Sequence, residues 1–347
     1  ASTIERLLEV EPKTEVLTFK RGEKNPLPAD AVIVDEMSMV DTLLMEHLLR
    51  GMRLGARLIM VGDSDQLPSV SAGNVLRDLI QSGLVPCIHL ERVFRQAAES
   101  LIVTNAHAIV RGEMPDLGCR TGDFFFLEQP DAFAQQRLVV DLVSRRLPKR
   151  YGYDPLRDIQ VITPAKQGPL GTRELNRLLQ GKLNPPERGK GEATLMGRTL
   201  REGDKVMQIR NNYDIIWQQP DGTAGTGIFN GDMGIIEMLD PGSKTIQVRF
   251  EEKLATYSFE NQDQLEHAYA VTVHKSQGSE FEAVVMPLER RHPKLHYRNL
   301  LYTAVTRARK LLIMTGQKET VYAMVQNNRR TLRYTNQKEM LQEMCDE

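Results

Sequence analysis

Five short apolar runs punctuate the chain: Ala31–Val34, Arg57–Val61, Ile159–Ile162, Ala283–Met286 and Leu311–Thr315. Each is rich in Val, Ile, Leu or Met and is flanked by polar or turn-forming residues. Runs this short, mostly apolar rather than alternating, predict strands buried on both faces, as in parallel sheets. Helical patterns lie between them. Leu44, Met45, Leu48, Leu49 and Met52 share one stripe across 42–53, and 131–147 and 172–180 behave similarly. Strands alternating with amphipathic helices predict α/β units.

Two segments depart from that rhythm. Residues 13–28 (KTEVLTFKRGEKNPLP) run from a short alternating stretch into a basic Gly turn and then prolines. They predict a small hairpin protruding between two core elements. Residues 203–258 carry short strand patterns separated by Asn-Gly, Pro-Gly and Asp-Gly turns. They predict a small antiparallel barrel inserted into an α/β domain. The stretch 183–193 (LNPPERGKGEA) reads as a loop.

Composition narrows the classes. A chain of 347 residues is long enough for two or three domains. With 41% hydrophobic and 26% charged residues it matches ordinary soluble globular proteins. No apolar run approaches the roughly 18 residues of a membrane span, and no signal-peptide pattern opens the chain. Cys87, Cys119 and Cys345 lie far apart without metal-ligand spacing, so free thiols in a reducing, cytoplasmic compartment are expected. The formal net charge is −1, so any nucleic-acid site must be a local basic patch.

Chemistry concentrates where the apolar runs end. AVIVDEMSMVD (31–41) passes from four apolar residues directly to Asp35 and Glu36. An Asp at the carboxyl end of a buried strand can hold Mg²⁺ through water beside a nucleotide, and the adjacent Glu can accept a proton from an attacking water. The plainer alternative is a solvated pair before a helix, with Asp41 or Ser38 as its cap. RLIMVGDSDQLPSV (57–70) ends in the same way, so two strands deliver polar residues to one sheet edge, where α/β proteins bind ligands. There Gln66 could orient a water or sense a γ-phosphate. In LERVFRQ (90–96), Arg95 offers a guanidinium suited to a phosphate oxygen. HAYAVTVHKSQGSEFEAVVMPL (267–288) sets Thr272, His274, Lys275, Ser276, Gln277, Gly278 and Glu280 in a polar loop before a strand. LLYTAVTRARKLLIMTG (300–316) places Arg307 and Arg309 before another. Arg307 suits an arginine finger, whereas Arg309 and Lys310 read as charges offsetting a helix C-terminus.

In order along the chain, these segments resemble the motifs of superfamily 1B DNA helicases of the RecD/TraA-like, 5′→3′ group. ASTIERLL (1–8) resembles motif Ia, VIVDEMSMVD motif II, VGDSDQLPSV motif III, LERVFRQ motif IV, VTVHKSQGSEF motif V and YTAVTRAR motif VI. ITPAKQGPLGTRELNRLLQ (162–180) resembles the start of the family's second RecA-like domain, and GDKVMQIRNNYD with IFNGDMGII its inserted SH3-like domain. The resemblance implies two RecA-like parallel-sheet domains, at 1–115 and 116–347. It places a strand-splitting hairpin at about 10–28 and an SH3-like barrel at about 200–260. It implies ATP and Mg²⁺ as cofactors, with Asp35 and Glu36 handling metal and water, Gln66 reading the γ-phosphate, and Arg95 and Arg307 neutralising it. Gly278 and Glu280 fall on the nucleotide side of motif V. Thr3, Asn74, Thr272 and His274 fall on single-stranded DNA, where such groups contact phosphates and bases without sequence preference. The partners implied are single-strand/duplex junctions and recombination, repair or conjugation proteins, and a monomer is expected.

Two departures stand out. Glu5 occupies the place of the family's motif Ia His, and a carboxylate is a poor neighbour for a phosphate. No G-x-x-x-x-G-K-[ST] occurs in these 347 residues, so the amide cradle and Lys that grip the β/γ-phosphates are missing. The chain is therefore expected to be a fragment starting between motifs I and Ia. It should be inactive alone, with exposed apolar surface on its first RecA-like domain. The competing class is a single-stranded-DNA-binding module that keeps the helicase shape without ATPase activity. A nucleotide kinase is a weaker third reading, opposed by two arginine-bearing motifs around an inserted barrel.

Overall fold

The structure is a computed structural model that describes residues 2–11, 18–90, 99–195, 197–328 and 335–346. The chain forms two compact units. The first comprises Ala1–Arg95, Tyr297–Thr303 and Asn327–Glu347, and the second Gln96–His296 and Ala304–Gln326. No helix among the described residues is long and apolar enough to cross a membrane.

In the first unit, strands Ala31–Val34 and Arg57–Met60 pair in parallel, with Val32 opposite Leu58 and Ile33 opposite Ile59. Strand side chains alternate between faces, so Val32, Val34, Leu58 and Met60 share one. That face packs on Leu8, Leu27, Met37, Met45, Leu48, Val75 and Leu76. The opposite face carries Ile33 and Ile59, which are 68% and 47% exposed, followed by the exposed Val61. Helix Thr42–Gly51 supplies Met45 and Leu48 and is capped by Asp41, whose Oδ1 accepts the Leu44 N–H at 2.7 Å. Helix Gln337–Asp346 packs on helix Val75–Ser82; just before it, Thr335 Oγ1 donates to Asp78 at 2.5 Å.

The predicted hairpin is partly described. Val10 pairs with Phe19 and Glu11 with Thr18, and residues 12–17 lie outside the described residues. The basic Gly segment, expected to form the hairpin turn, makes a separate tight turn in which Gly22 and Asn25 exchange backbone hydrogen bonds.

The second unit is built on a five-stranded parallel sheet in the order Ala270–Thr272, Ile159–Thr163, Phe281–Pro287, Ala308–Gly316, Phe124–Glu128. Ile159–Thr163 is buried along its whole length, as a strand covered on both faces must be. Val139, Leu142, Val143 and Leu147 pack with Leu175 and Leu179 of helix Thr172–Leu183 against Ile159, Val161, Val285 and Ile313. The predicted helix at 131–147 is interrupted: Ala132–Asp141 is α-helical, Leu142–Arg146 is a π-helical turn, and Leu147–Tyr151 resumes as α-helix.

A seven-stranded antiparallel sheet accounts for the inserted barrel, in the order Ala224–Ile228, Asn212–Gln218, Lys253–Ser258, Thr245–Phe250, Met233–Asp240, Lys205–Gln208, Leu265–His267. Its core comprises Val206, Ile228, Ile236, Ile246, Val248, Phe250 and Tyr257. Asp204, at the barrel's first turn, is fully buried. Its carboxylate accepts from Gln180 Nε2 (2.7 Å), Asn184 Nδ2 (2.6 Å), the Arg201 N–H (2.8 Å) and the Tyr269 hydroxyl (2.9 Å), with His267 Nε2 at 3.1 Å. Burial pushes this carboxyl up, but His267, Asn184 and the Arg201 N–H more than offset it and hold the group below its ordinary range. One ion thus ties the barrel to helix Thr172–Leu183 and to the chain leading into the parallel sheet. Beside it, Lys205 is buried with Nζ 3.4 Å from the Ile159 carbonyl. Burial pulls its ammonium down to about 8, against the pull of Asp154 and Asp158.

Candidate functional site

Asp35 and Glu36 leave the end of strand Ala31–Val34 in a constrained turn. Asp35 Oδ1 accepts the Glu36 N–H at 2.8 Å, and Glu36 holds φ +53°, the left-handed region that non-glycine residues seldom adopt. The neighbouring strand fixes the next residue, because the Met37 N–H donates to the Val61 carbonyl at 2.9 Å. Gly62 is required at this approach, since a Cβ there would lie 2.9 Å from the Met37 nitrogen. Capping falls to Asp41, so the Asp35–Glu36 pair is left exposed and half-buried, respectively, at the carboxyl edge of the sheet.

The second strand opens into a turn organised by Asp63. Its Oδ1 accepts the Asp65 N–H at 2.9 Å, and its Oδ2 accepts Gln66 Nε2 at 3.3 Å and the Tyr302 hydroxyl at 2.7 Å. Helix Arg298–Val305 meets this turn with one polar stripe. Asn299 Nδ2 donates to the Gln66 carbonyl at 3.3 Å, and Thr303 Oγ1 accepts the Leu67 N–H at 2.9 Å. Gln66 Oε1 is buried and has no hydrogen-bond partner among the described residues. The Asp65 carboxyl keeps solvent access at its edge, yet burial and then Asp63 push it above its ordinary value, eased by Arg77 and Arg298.

In the second unit the motif residues divide between two sheet edges. Thr272 ends strand Ala270–Thr272, and its Oγ1 accepts the Lys275 N–H at 3.3 Å, capping the turn that carries His274. Lys275 Nζ pairs with Glu266 at 2.8 Å. His274 reaches solvent, but the protein around it, and then Lys166, disfavour its imidazolium. Gly278 (φ +72°) and Glu280 instead precede strand Phe281–Pro287, and Arg307 precedes Ala308–Gly316. In a parallel sheet these positions lie at the edge opposite Thr272. Arg307 is 4% exposed; its Nη1 donates to the Ser279 carbonyl at 3.1 Å and its own carbonyl accepts the Phe281 N–H at 2.8 Å. Arg309 and Lys310, expected at a helix C-terminus, lie within the strand and pair across it with Glu280 (2.7 Å) and Glu282 (2.6 Å). Their charges answer carboxylates just before and within the neighbouring strand, not a helix dipole.

The remaining candidates are simply placed. Thr3 caps the short helix Ile4–Leu7 through a 3.3 Å bond from the Arg6 N–H, and Glu5 sits in that first turn. Asn74 stands before helix Val75–Ser82 without a capping side-chain bond. Arg95 lies outside the described residues. Among the described residues no three His, Cys, Asp or Glu side chains gather as a metal cluster. A single exposed carboxylate such as Asp35 still suits Mg²⁺, which retains several waters and takes one or two protein oxygens beside substrate phosphates. The residues present thus fit the metal-and-water end of a nucleotide site, without its phosphate cradle. Asn299, Tyr302 and Thr303 were not marked by sequence reasoning. Their signal was a polar i, i+3, i+4 stripe in an otherwise apolar helix.

Three stretches of the chain match known domain families. Residues 1–121 match an AAA domain, 175–250 the ATP-dependent RecD-like DNA helicase SH3 domain, and 267–315 the UvrD-like helicase C-terminal domain. The chain is 36% identical over 316 residues to the ATP-dependent RecD2 DNA helicase of Deinococcus radiodurans, covering 91% of this chain and 40% of that protein. It is 31% identical over 338 residues to the RecBCD enzyme subunit RecD of Mycobacterium tuberculosis, covering 94% and 55%. The chain thus spans about half the length of the curated relatives it matches. In fold it is similar to a Pif1 helicase from Bacteroides in complex with ADP-AlF3 and ssDNA, with TM-score 0.53, 18% identity, and coverage of 99% of this chain and 84% of that one. The fold is therefore RecA-like α/β with an SH3-like insertion. By its domains and relatives, the chain belongs to the RecD-like helicases.

Proposed function

We propose that this chain is the motor core of an ATP-dependent DNA helicase that moves 5′→3′ on single-stranded DNA and unwinds duplex. The observation that carries the reading is the shared strand edge in the first unit, where Asp35, Glu36 and the Gln66 turn follow two parallel strands tied by the Met37–Val61 bond. On this reading 1–115 form the first RecA-like domain and 116–347 the second, with the barrel at about 200–260. Asp35 would hold Mg²⁺, which neutralises phosphate charge when bound. Glu36 takes the proton of the water that attacks the γ-phosphorus, with ADP leaving, and Gln66 orients the site. Arg307 and Arg95 balance charge on the transferring phosphoryl. Gly278 and Glu280 shape the nucleotide edge, while Thr3, Asn74, Thr272 and His274 serve the DNA edge, with Lys166 and Lys275 supplying local cations.

The phosphate cradle must come from outside these residues, and the exposed face of Ile33, Ile59 and Val61 supports that. A parallel sheet is ordinarily covered on both faces, so this face suits the strand and helix that carry a phosphate loop. The 347-residue chain alone is therefore inactive. Polarity rests on resemblance to the RecD/TraA-like group. A monomer working in the cytoplasm beside recombination or repair proteins completes the reading. Tailed duplexes test it directly: the longer protein containing this chain should unwind a 5′-tailed duplex with ATP and leave a 3′-tailed one intact. Unwinding of the 3′-tailed duplex would overturn the polarity.

A further inference from the structure

Sequence alone leaves Gln66 with two roles, orienting a water or sensing a γ-phosphate. The structure favours one, because Asp63 fixes which end of the amide is available. An ionised carboxylate only accepts hydrogen bonds, so the Gln66 end facing Asp63 Oδ2 at 3.3 Å is Nε2. The end left over is Oε1, buried and without a partner among the described residues. A carbonyl oxygen accepts; it pairs with a water and repels a phosphate oxygen. The same Oδ2 is held by the Tyr302 hydroxyl at 2.7 Å, the shorter of its two bonds. Asn299 and Thr303, one helical turn apart on the same stripe, bind the Gln66 carbonyl and the Leu67 N–H, so backbone and side chain of the turn are fixed by one helix.

We propose that Tyr302 is a positioning residue for ATP turnover: it holds Asp63, Asp63 holds the Gln66 amide, and the Gln66 carbonyl is thereby aimed at the attacking water. This rests on the motor reading above. Water keeps both protons until Glu36 takes one, and Gln66 accepts the hydrogen bond of the other. Tyr302 touches no reacting atom. Losing its hydroxyl leaves Asp63 one donor short and frees the amide to turn its nitrogen outward.

The test is a mutant cycle on single-stranded-DNA-stimulated ATP turnover by the longer protein containing this chain. Gln66→Ala and Tyr302→Phe should each lower kcat, the latter about ten-fold, the size of one charge-assisted hydrogen bond. Tyr302→Phe should leave KM for ATP and nucleotide-free DNA binding unchanged. Combined with Gln66→Ala it should add nothing, because it acts through Gln66. Asp63→Asn, which alters the middle of the relay and leaves the helix sequence intact, should behave like Tyr302→Phe. A Tyr302→Phe effect that multiplies with Gln66→Ala overturns the relay, as does a kcat equal to wild type. A raised KM for ATP with unchanged kcat assigns Gln66 to the phosphate instead. Gln66→Ala turning over normally also overturns the relay, whereas absence of turnover in the wild type sinks the motor reading itself.

Discussion

Ile33 and Ile59 are partners across the parallel strands Ala31–Val34 and Arg57–Met60, and both stand on the face of that sheet left open to solvent. Exposed apolar side chains are ordinary singly, but a paired, contiguous set on a parallel sheet is not. Substituting both by Lys should change the stability of the 347-residue chain by less than about 1 kcal/mol and reduce its self-association. In the longer protein the same pair should cost several kcal/mol, because the face would be buried there. Chemical denaturation of both forms makes the comparison. Equal, small effects in both would show that nothing covers this face.

Arg307 lies just past helix Arg298–Val305, with its guanidinium on the Ser279 carbonyl. In the longer protein, Arg307→Ala should lower kcat by about 10³-fold or more and leave single-stranded DNA binding nearly intact. Arg307→Lys should recover little, since an ammonium lacks the planar fork. Loss of DNA binding in either variant would move Arg307 out of the nucleotide site.

Asp204 carries the attachment of the barrel. Asp204→Ala would leave the donors of Gln180, Asn184, Tyr269 and the Arg201 backbone facing an empty position, at a cost of about 3–5 kcal/mol. The thermal midpoint of the chain should fall accordingly. Because its folded pKa is depressed, this group stabilises the fold above its unfolded value and the contribution is lost as pH falls through the folded one. An unchanged midpoint for Asp204→Ala would contradict the anchoring role.

Lys205 is a buried charge that costs stability where Asp204 adds it. Its ammonium is pulled from the usual 10.5 to about 8 by burial, so folding expels a proton between those values. Stability conferred by this group therefore rises as pH increases from about 8 to 10.5, and at pH 7 the buried charge costs on the order of 3 kcal/mol. Lys205→Met should be the more stable protein at pH 7, and the gap should narrow as pH rises from about 8 past 10.5. A gap independent of pH would show that Lys205 is not titrating in the fold.

Much of this architecture was readable from residue order. The placement of Asp35, Glu36 and Gln66 just past two paired strands was readable, because polar residues follow the apolar runs directly. The strands Phe124–Glu128 and Ala270–Thr272 were harder: the first is an aromatic run, and the second is three residues long inside a polar motif. The hairpin was located, but its turn was displaced by the Gly22–Asn25 bridge, which imitates a hairpin turn in sequence. The Asp63–Tyr302 bond was out of reach because its partners are 239 residues apart. A hydroxyl in an apolar helix says that it needs a partner, not which one.

Turnover of ATP by the longer protein containing this chain, with and without single-stranded DNA, tests the central claim most directly. The motor reading predicts strong stimulation by DNA that disappears in Glu36→Gln, with DNA binding retained. DNA binding without any turnover would contradict it and leave a binding module whose carboxylates do no chemistry.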